Sequence, residues 1–297
     1  MLKATTLVHK GAMQIGLHAI SSFARHFSKT HEISIHTDPS VGQEDQQLLL
    51  QAAAGMKVKI ISASERALRI TPILSQYPRI SALLRSGSFF TKLELPMYEG
   101  SGLFYFDSDI IWLRHAEDLQ PKHAPNAFST ETWTWYPGIK NEDRWMASAV
   151  PRRVNSGFYY LNEPFPYEKL ELLLSHDMFD KEVEYAGDQE LFAFLYNNME
   201  YYHPKDLMRS RIGTTYKLRN EKCAAIHFPG KMWMNHLDQI EQLHGQPVKP
   251  AIKMRYRPPV PITAVELYKM RILIKAGKST TLAGPLNLLR SVRRIFG

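Results

Sequence analysis

The 297-residue sequence has few features that would cross-link the chain covalently or anchor it in a bilayer. Its single cysteine, Cys223, excludes an intramolecular disulfide framework, so the fold must be held together by its core. No run of about 20 apolar residues occurs, so the sequence predicts no transmembrane helix. The first residues also lack the apolar stretch and small-residue cleavage site of a signal peptide. We therefore expect a cytoplasmic location.

Internal repeats and low-complexity segments are also missing, and acidic residues are scarce near the C-terminus. Residues 253–297 contain ten lysines and arginines but one acidic residue, Glu266, in a chain whose net charge is +8. An apolar content of 44% is typical of folded rather than disordered proteins. We expect one folded domain over residues 1–250 and a basic, amphipathic extension over residues 251–297.

The basic extension also carries apolar residues between its charges, over residues 264–297. Such a segment can lie on an anionic membrane surface, which predicts peripheral attachment to the inner face of a membrane. A C-terminal helix that is docked on the domain with a basic outer face is the structural alternative. We expect no nucleic-acid partner, because no nucleic-acid-binding motif accompanies the charge.

Along the first 61 residues, segments whose apolar pattern is typical of strands alternate with segments whose apolar pattern is typical of helices. Three short β-branched segments predict strands, and two segments with apolar residues on one helical face predict helices between them. Strand–helix–strand units at this spacing imply crossover connections and a mostly parallel sheet flanked by helices, an α/β fold. The predicted strands are residues 4–9, 32–37 and 57–61, and the predicted helices are residues 17–27 and 43–54.

Residues 102–112 (GLFYFDSDIIW) give the strongest strand signal and contain two acidic residues, Asp107 and Asp109. In a strand these two carboxylates point to the same side, where they can share Mg²⁺ or Mn²⁺. Burial of unpaired carboxylates is costly, so the apolar surroundings demand a partner for them. The alternative is a pair of acidic residues at the sheet edge that caps a loop or binds an arginine.

Four segments together resemble glycosyltransferases of the GT-A fold, particularly family 8 and related enzymes that use nucleotide-diphospho sugars. LFYFDSDIIWL resembles their DXD strand, and three further motifs follow in the expected order. Residues 154–158 resemble the "FNSGV" strand, residues 187–190 the "DQD" helix start, and residues 227–233 the "HFxGxxKPW" segment. The resemblance implies a Rossmann-like GT-A catalytic domain over residues 1–250, with Mn²⁺ (or Mg²⁺) and a nucleotide-diphospho sugar as donor.

The resemblance also assigns the metal and diphosphate contacts. Asp107 and Asp109 would bind the metal, and His227 would complete the site, where a histidine bonded to backbone is the structural alternative. Gly230 and Lys231 would meet the diphosphate through a backbone N–H and an ammonium group. In this sequence Lys231 follows the glycine directly, whereas the family places its lysine three residues later.

Two further positions are expected to contact the nucleotide. Lys92 stands where the family usually has arginine in "YxRLxLP", and it would neutralise the DXD acids or touch the nucleotide. Arg85 is the alternative for that role, and a solvated helix face is the alternative for both. His9 is the last residue of the first predicted strand, at the end where open α/β sheets bind nucleotides.

The remaining site residues are expected at the sugar, and we name them as catalytic. Asn155 would contact the sugar, or else form a bulge or turn. Asp188 would bind sugar hydroxyls, while Gln189 would lie on the ring face opposite the leaving diphosphate. A helix N-cap is the structural alternative for Asp188.

The sequence therefore predicts a metal-dependent glycosyltransferase. Its expected donor is a UDP-sugar, its acceptor a carbohydrate or lipid-linked glycan, and family 8 implies retention of anomeric configuration. Aromatic and basic residues in 130–153 suit a carbohydrate acceptor. The alternatives are a degenerate transferase domain that binds carbohydrate or membrane, and a metal-dependent phosphoryl-transfer enzyme that uses the same aspartate pair.

Overall fold

The computed structural model describes residues 2–29, 31–130, 154–175, 187–196, 198–203, 205–209, 218 and 221–258. The aromatic segment expected to meet the acceptor, apart from Thr130, lies outside the described residues. So does the membrane-binding segment predicted over residues 264–297. Among the described residues, no helix combines the length and apolar character needed to cross a membrane.

Short strands alternate with amphipathic helices, as the two hydrophobic periods predict. The helices are α1 (Met13–Phe27), α2 (Gln43–Ala52), α3 (Ala63–Leu74), α4 (Pro78–Ser86), α5 (Thr91–Glu99), α6 (Tyr167–Ser175), α7 (Gly187–Leu195) and α8 (Leu237–His244). The strands are β1 (Leu2–Val8), β2 (His31–Thr37), β3 (Lys57–Ile61), β4 (Leu103–Phe106), β5 (Ile110–Trp112), β6 (Arg114–Glu117), β7 (Asn126–Thr130), β8 (Val154–Leu161), β9 (Met199–Tyr202), β10 (Leu207–Arg209), β11 (Ala225–His227), β12 (Lys249–Lys253) and β13 (Tyr256–Arg257).

The central sheet has eight strands in the order β13-β9-β7-β8-β4-β1-β2-β3. Four of its seven strand pairs are parallel, namely β2–β3, β1–β2, β1–β4 and β7–β9. Smaller sheets are formed by β10-β11-β5 and by β12-β6. The expected mostly parallel sheet flanked by helices is confirmed. The expected domain division after residue 250 falls inside β12, and strand pairing continues to Arg257.

The prediction of one strand over residues 102–112 is wrong, because the segment divides into two strands of different sheets. β4 pairs with β1 and β8 in the central sheet, whereas β5 pairs with β11 in the three-stranded sheet. A turn joins them, in which the Ile110 N–H donates to the Asp107 carbonyl at 3.1 Å. The two acidic residues therefore face the same side because the chain turns, not because a strand alternates.

Aromatic packing fixes both arms of this turn. On one face of the sheet, Phe23 of α1 packs on Phe106, with ring centroids 4.7 Å apart, and Phe27 packs on Trp112 at 4.8 Å. All four side chains are fully buried. Aromatic pairs of this kind contribute about 0.5–1.5 kcal/mol each beyond the area they bury, so helix α1 anchors the residues on either side of the turn.

A buried ion network ties α5 to the first two strands. The Glu99 carboxylate, at the end of α5, accepts a hydrogen bond from His36 Nε2 at 2.7 Å and pairs with the Lys3 ammonium. Burial disfavours the Glu99 charge, but the contacts with His36 and Lys3 outweigh it and lower the pKa of Glu99 to about 2. The network holds α5, which carries Lys92, against the sheet.

Glu99→Gln should lower the free energy of unfolding at pH 7 by about 1.5–3 kcal/mol, since hydrogen bonds to a charged group are lost. The contribution of a carboxylate with a depressed pKa is complete above pH 4.5 and declines as the pH falls towards 2. The difference from wild type, measured by urea unfolding, should therefore shrink over that range. Glu117→Gln, at an exposed carboxylate, is the control. A difference that is constant with pH would contradict the assigned network.

Candidate metal centre

The candidate site lies at one edge of the central sheet. β1 and β4 are parallel, so the loops that follow them leave the sheet at the same edge. β8 is antiparallel to β4 and enters the sheet at this edge. The Asp107 N–H donates to the Gly157 carbonyl at 2.7 Å, which joins the turn after β4 to the beginning of β8.

The three expected metal ligands lie together at this edge. Candidate ligand atoms of Asp107, Asp109 and His227 all lie within 4.8 Å of one another, and no other such group occurs among the described residues. His227 Nε2 is 3.3 Å from Asp109 Oδ1 and 3.8 Å from Asp107 Oδ2. β11 brings His227 opposite Ile110, and the Phe228 N–H donates to the Asp109 carbonyl at 3.0 Å.

The donor set fits a divalent cation. Asp109 Oδ1 is buried and accepts no hydrogen bond from the part of the chain that the structure describes. A buried carboxylate oxygen in that condition is costly unless a cation faces it. Carboxylates suit Mn²⁺ and an imidazole suits it less well, and diphosphate oxygens and water could fill the remaining positions.

Gly157 provides the space in which these groups converge. A Cβ atom at Gly157 would lie 2.8 Å from each of three side-chain atoms: Asn155 Oδ1, Asp107 Oδ2 and His227 Cε1. In the structure the space is filled by side chains of the site itself.

Lys92 is the cation beside the acidic residues. Its Nζ lies 2.9 Å from Asp107 Oδ1, 3.0 Å from Oδ2, and 3.7 Å from Asp188 Oδ2. Burial disfavours the Lys92 charge, but Asp107, Asp188 and Asp109 outweigh it and raise the pKa of Lys92. Burial likewise opposes ionisation of Asp107, and Lys92 and His227 outweigh it and lower the pKa of Asp107. Arg85, the alternative to Lys92 for this role, donates a hydrogen bond to Ser81 Oγ on its own helix.

Two of the residues expected at the sugar lie beside this group. Asp188, in the first turn of α7, is buried, and its Oδ2 accepts a hydrogen bond from Ser156 Oγ at 2.5 Å. Gln189 follows it and is half-buried. Asn155 is buried, and its Oδ1 accepts a hydrogen bond from the Gly157 N–H at 2.7 Å, where the pairing of β8 with β7 shifts in register.

The three remaining candidates lie on exposed loops. His9 follows β1 and its ring lies over Gly11, where an added Cβ would be 3.2 Å from two ring atoms. Gly230 has φ +68°, a conformation that favours glycine, and Lys231 is exposed at the start of a short 3₁₀ helix. Their contacts with diphosphate and nucleotide stay predictions.

Two neighbours of the acidic residues were not assigned by the sequence. Tyr105 Oη donates to Asp107 Oδ1 at 2.5 Å, and Ser156 Oγ holds Asp188. A tyrosine in an apolar strand is indistinguishable from a core residue by pattern. Its spacing of two residues from Asp107 places both side chains on one side, and this was the available signal.

Comparison with solved structures defines the class of fold. The galactosyltransferase LgtC, in complex with donor and acceptor sugar analogues, matches with a TM-score of 0.51 and 12% identity, over 84% of this chain and 97% of LgtC. Mouse xyloside xylosyltransferase 1, in its apo form, matches with a TM-score of 0.50 and 14% identity, over 77% of this chain and 98% of the mouse protein.

The chain therefore has the GT-A fold of glycosyltransferases, and the resemblance seen in the sequence is confirmed at the level of the fold. No protein-family model matches the sequence, and no curated protein sequence matches it.

Gly157→Ala should weaken Mn²⁺ binding by about 10- to 100-fold, because the new methyl group displaces the metal ligands. Overpacking should also lower the free energy of unfolding by about 1–3 kcal/mol. Gly87→Ala is the matched control, since Gly87 has extended backbone and open space around its Cβ position. Isothermal titration calorimetry on the folded variants measures the affinities. Equal affinities in the two variants would contradict the convergence of ligands at Gly157.

Proposed function

We propose that the protein is a metal-dependent glycosyltransferase that moves a sugar from a nucleotide-diphospho sugar to a glycan or lipid-linked glycan. The observation that carries the proposal is the convergence of Asp107, Asp109 and His227 at the edge of the sheet where parallel strands end in a GT-A fold. LgtC, of the same fold, was crystallised with donor and acceptor sugar analogues, which supports this class of substrates.

Asp107, Asp109 and His227 would hold the cation, which we propose to be Mn²⁺, with Mg²⁺ as the alternative. A divalent cation at this place stabilises the negative charge that develops on the departing diphosphate. A cation at this place would take the role of an acid catalyst, because a diphosphate leaves without needing a proton from an acid.

Lys92 would have two tasks in this arrangement. With the donor absent, its ammonium group compensates the charges of Asp107 and Asp188, at 2.9 and 3.7 Å. With the donor present, the same cation lies beside the diphosphate and stabilises it by charge. Lysine is a point charge on a flexible stem and can change partners within the site. The planar guanidinium of an arginine would instead be held in one orientation by paired hydrogen bonds to a carboxylate.

Asp188, Gln189 and Asn155 would surround the reacting sugar. The Ser156 hydroxyl donates a hydrogen bond to Asp188 Oδ2, and Asp188 Oδ1 would accept a hydrogen bond from a sugar hydroxyl. Gln189, next to it in the first turn of α7, would lie on the ring face opposite the diphosphate, and Asn155 would contact the sugar. Retention of anomeric configuration is the outcome that the likeness to family 8 implies.

The loops after β1 and β11 would hold the rest of the donor. His9 would contact the nucleotide, for which we propose UDP, and Gly230 and Lys231 would meet the diphosphate. All three are exposed, so a donor can reach them. The aromatic segment of residues 130–153 would bind the acceptor.

UDP or GDP should raise the melting temperature in the presence of Mn²⁺ and not in its absence. A ligand at 100 times its Kd stabilises by about 2.7 kcal/mol, which gives a shift of several degrees. Asp109→Asn should abolish this shift, while Asp238→Asn, at an exposed aspartate of α8, should retain it. Thermal denaturation with a panel of nucleotides and nucleotide sugars makes the measurement.

An unchanged shift in Asp109→Asn would contradict the metal site. A metal-dependent shift without sugar transfer or release of nucleotide from any donor would instead favour a degenerate, ligand-binding transferase domain. Cleavage of phosphate esters in place of sugar transfer would favour phosphoryl transfer.

We also propose that residues 264–297 attach the protein to anionic membranes, which suits a lipid-linked acceptor. The full chain should co-sediment with vesicles that contain phosphatidylglycerol and not with phosphatidylcholine vesicles. Replacing Arg290, Arg293 and Arg294 by glutamine should weaken this binding by about 1 kcal/mol for each charge removed. Lys29, Lys57 and Lys122 changed to glutamine form the control. Equal binding to both kinds of vesicle would contradict the proposal.

A further inference from the structure

Tyr105 makes a hydrogen bond to the metal centre that neither the motif nor the fold comparison assigns. Its hydroxyl donates to Asp107 Oδ1 at 2.5 Å. An ionised carboxylate has no proton to give, so the direction of this bond is fixed. Short bonds to an ionised acceptor are about twice as strong as neutral ones.

The Tyr105 ring is held rigidly, so its hydroxyl occupies a defined position. The side chain is fully buried, and β4 pairs Tyr105 with Thr5 of β1 on one side and Tyr159 of β8 on the other. Its ring stacks on that of Tyr159, with centroids 4.7 Å apart, and Lys92 Nζ lies 5.9 Å from its centroid.

The two oxygens of Asp107 consequently face different surroundings. Oδ1 accepts from the Tyr105 hydroxyl, which lies on the side of the buried core. Oδ2 faces the other ligands, 3.8 Å from His227 Nε2 and 2.8 Å from the Cβ position of Gly157. Lys92 is nearly equidistant from both oxygens, at 2.9 and 3.0 Å, so its contact does not distinguish between them.

We propose that Tyr105 is a positioning residue that fixes the rotation of the Asp107 carboxylate and reserves Oδ2 for the divalent cation. The inference rests on the proposed function, because it concerns the same metal. Tyr105 acts through Asp107 and does not touch the substrate. Groups that orient metal ligands in this way commonly change metal affinity by about 10- to 100-fold when they are removed.

Tyr159 offers a matched control for the test. It is as deeply buried as Tyr105, stacks on it, and also carries a hydroxyl. That hydroxyl has no hydrogen-bond partner among the described residues. Removal of the Tyr159 hydroxyl thus makes the same chemical change in the same layer of the core without touching Asp107.

The experiment titrates Mn²⁺ into wild type, Tyr105→Phe and Tyr159→Phe without donor, with free Mn²⁺ followed by electron paramagnetic resonance. We expect an affinity about 10- to 100-fold weaker in Tyr105→Phe and unchanged in Tyr159→Phe. Melting without metal shows whether either variant loses its fold. Equal affinity in Tyr105→Phe and wild type would overturn the inference and leave the proposed function standing, whereas no binding by wild type would overturn both.

A second measurement stands even if Tyr105→Phe does not fold. Binding of a cation to Asp107 changes the hydrogen bond of the Tyr105 hydroxyl and therefore the near-ultraviolet absorption of that phenol. We expect a tyrosine difference spectrum when Mn²⁺ saturates wild type and Tyr159→Phe. A saturated protein with no tyrosine difference spectrum would overturn the inference.

Discussion

The close approach of two carboxylates and an imidazole at one edge of the sheet is the constraint on which the rest of the site depends. Like charges at this distance repel and burial deprives them of water, so a cation must compensate them. Lys92 supplies one positive charge within the chain, and the lack of a Cβ at Gly157 allows the groups to meet. The site is therefore built to receive further positive charge.

Contacts on both faces of the sheet hold these charged groups in place. Phe23 and Phe27 of α1 fix the residues on either side of the aspartate turn, and the Glu99 network fixes the helix that carries Lys92. Such rigid support means that the three candidate ligands would be arranged before a cation binds. In enzymes generally, charges that are arranged in advance stabilise the charge that develops in a transition state.

Much of the fold can be predicted from the sequence, because the hydrophobic period of each segment and the order of the segments can be read directly from it. The alternation of strands and helices over the first 61 residues, and the Asp107, Asp109 and His227 group, were found where they were expected. The division of residues 102–112 between two sheets does not follow from the hydrophobic pattern, because apolar residues adjoin the turn on both sides. Asp107, Ser108 and Asp109 favour turns, but they fit a metal-binding strand equally well. The roles of Tyr105 and Gly157 were missed because they depend on side chains that meet only after folding.

We propose that Asp107, Asp109 and His227 bind one divalent cation together. Anomalous diffraction from a crystal grown with Mn²⁺ and a nucleoside diphosphate tests it most directly. We expect one strong manganese peak in contact with all three side chains and with diphosphate oxygens. A peak elsewhere in the molecule, or diphosphate bound at this edge of the sheet with no manganese between it and the aspartates, would contradict the account.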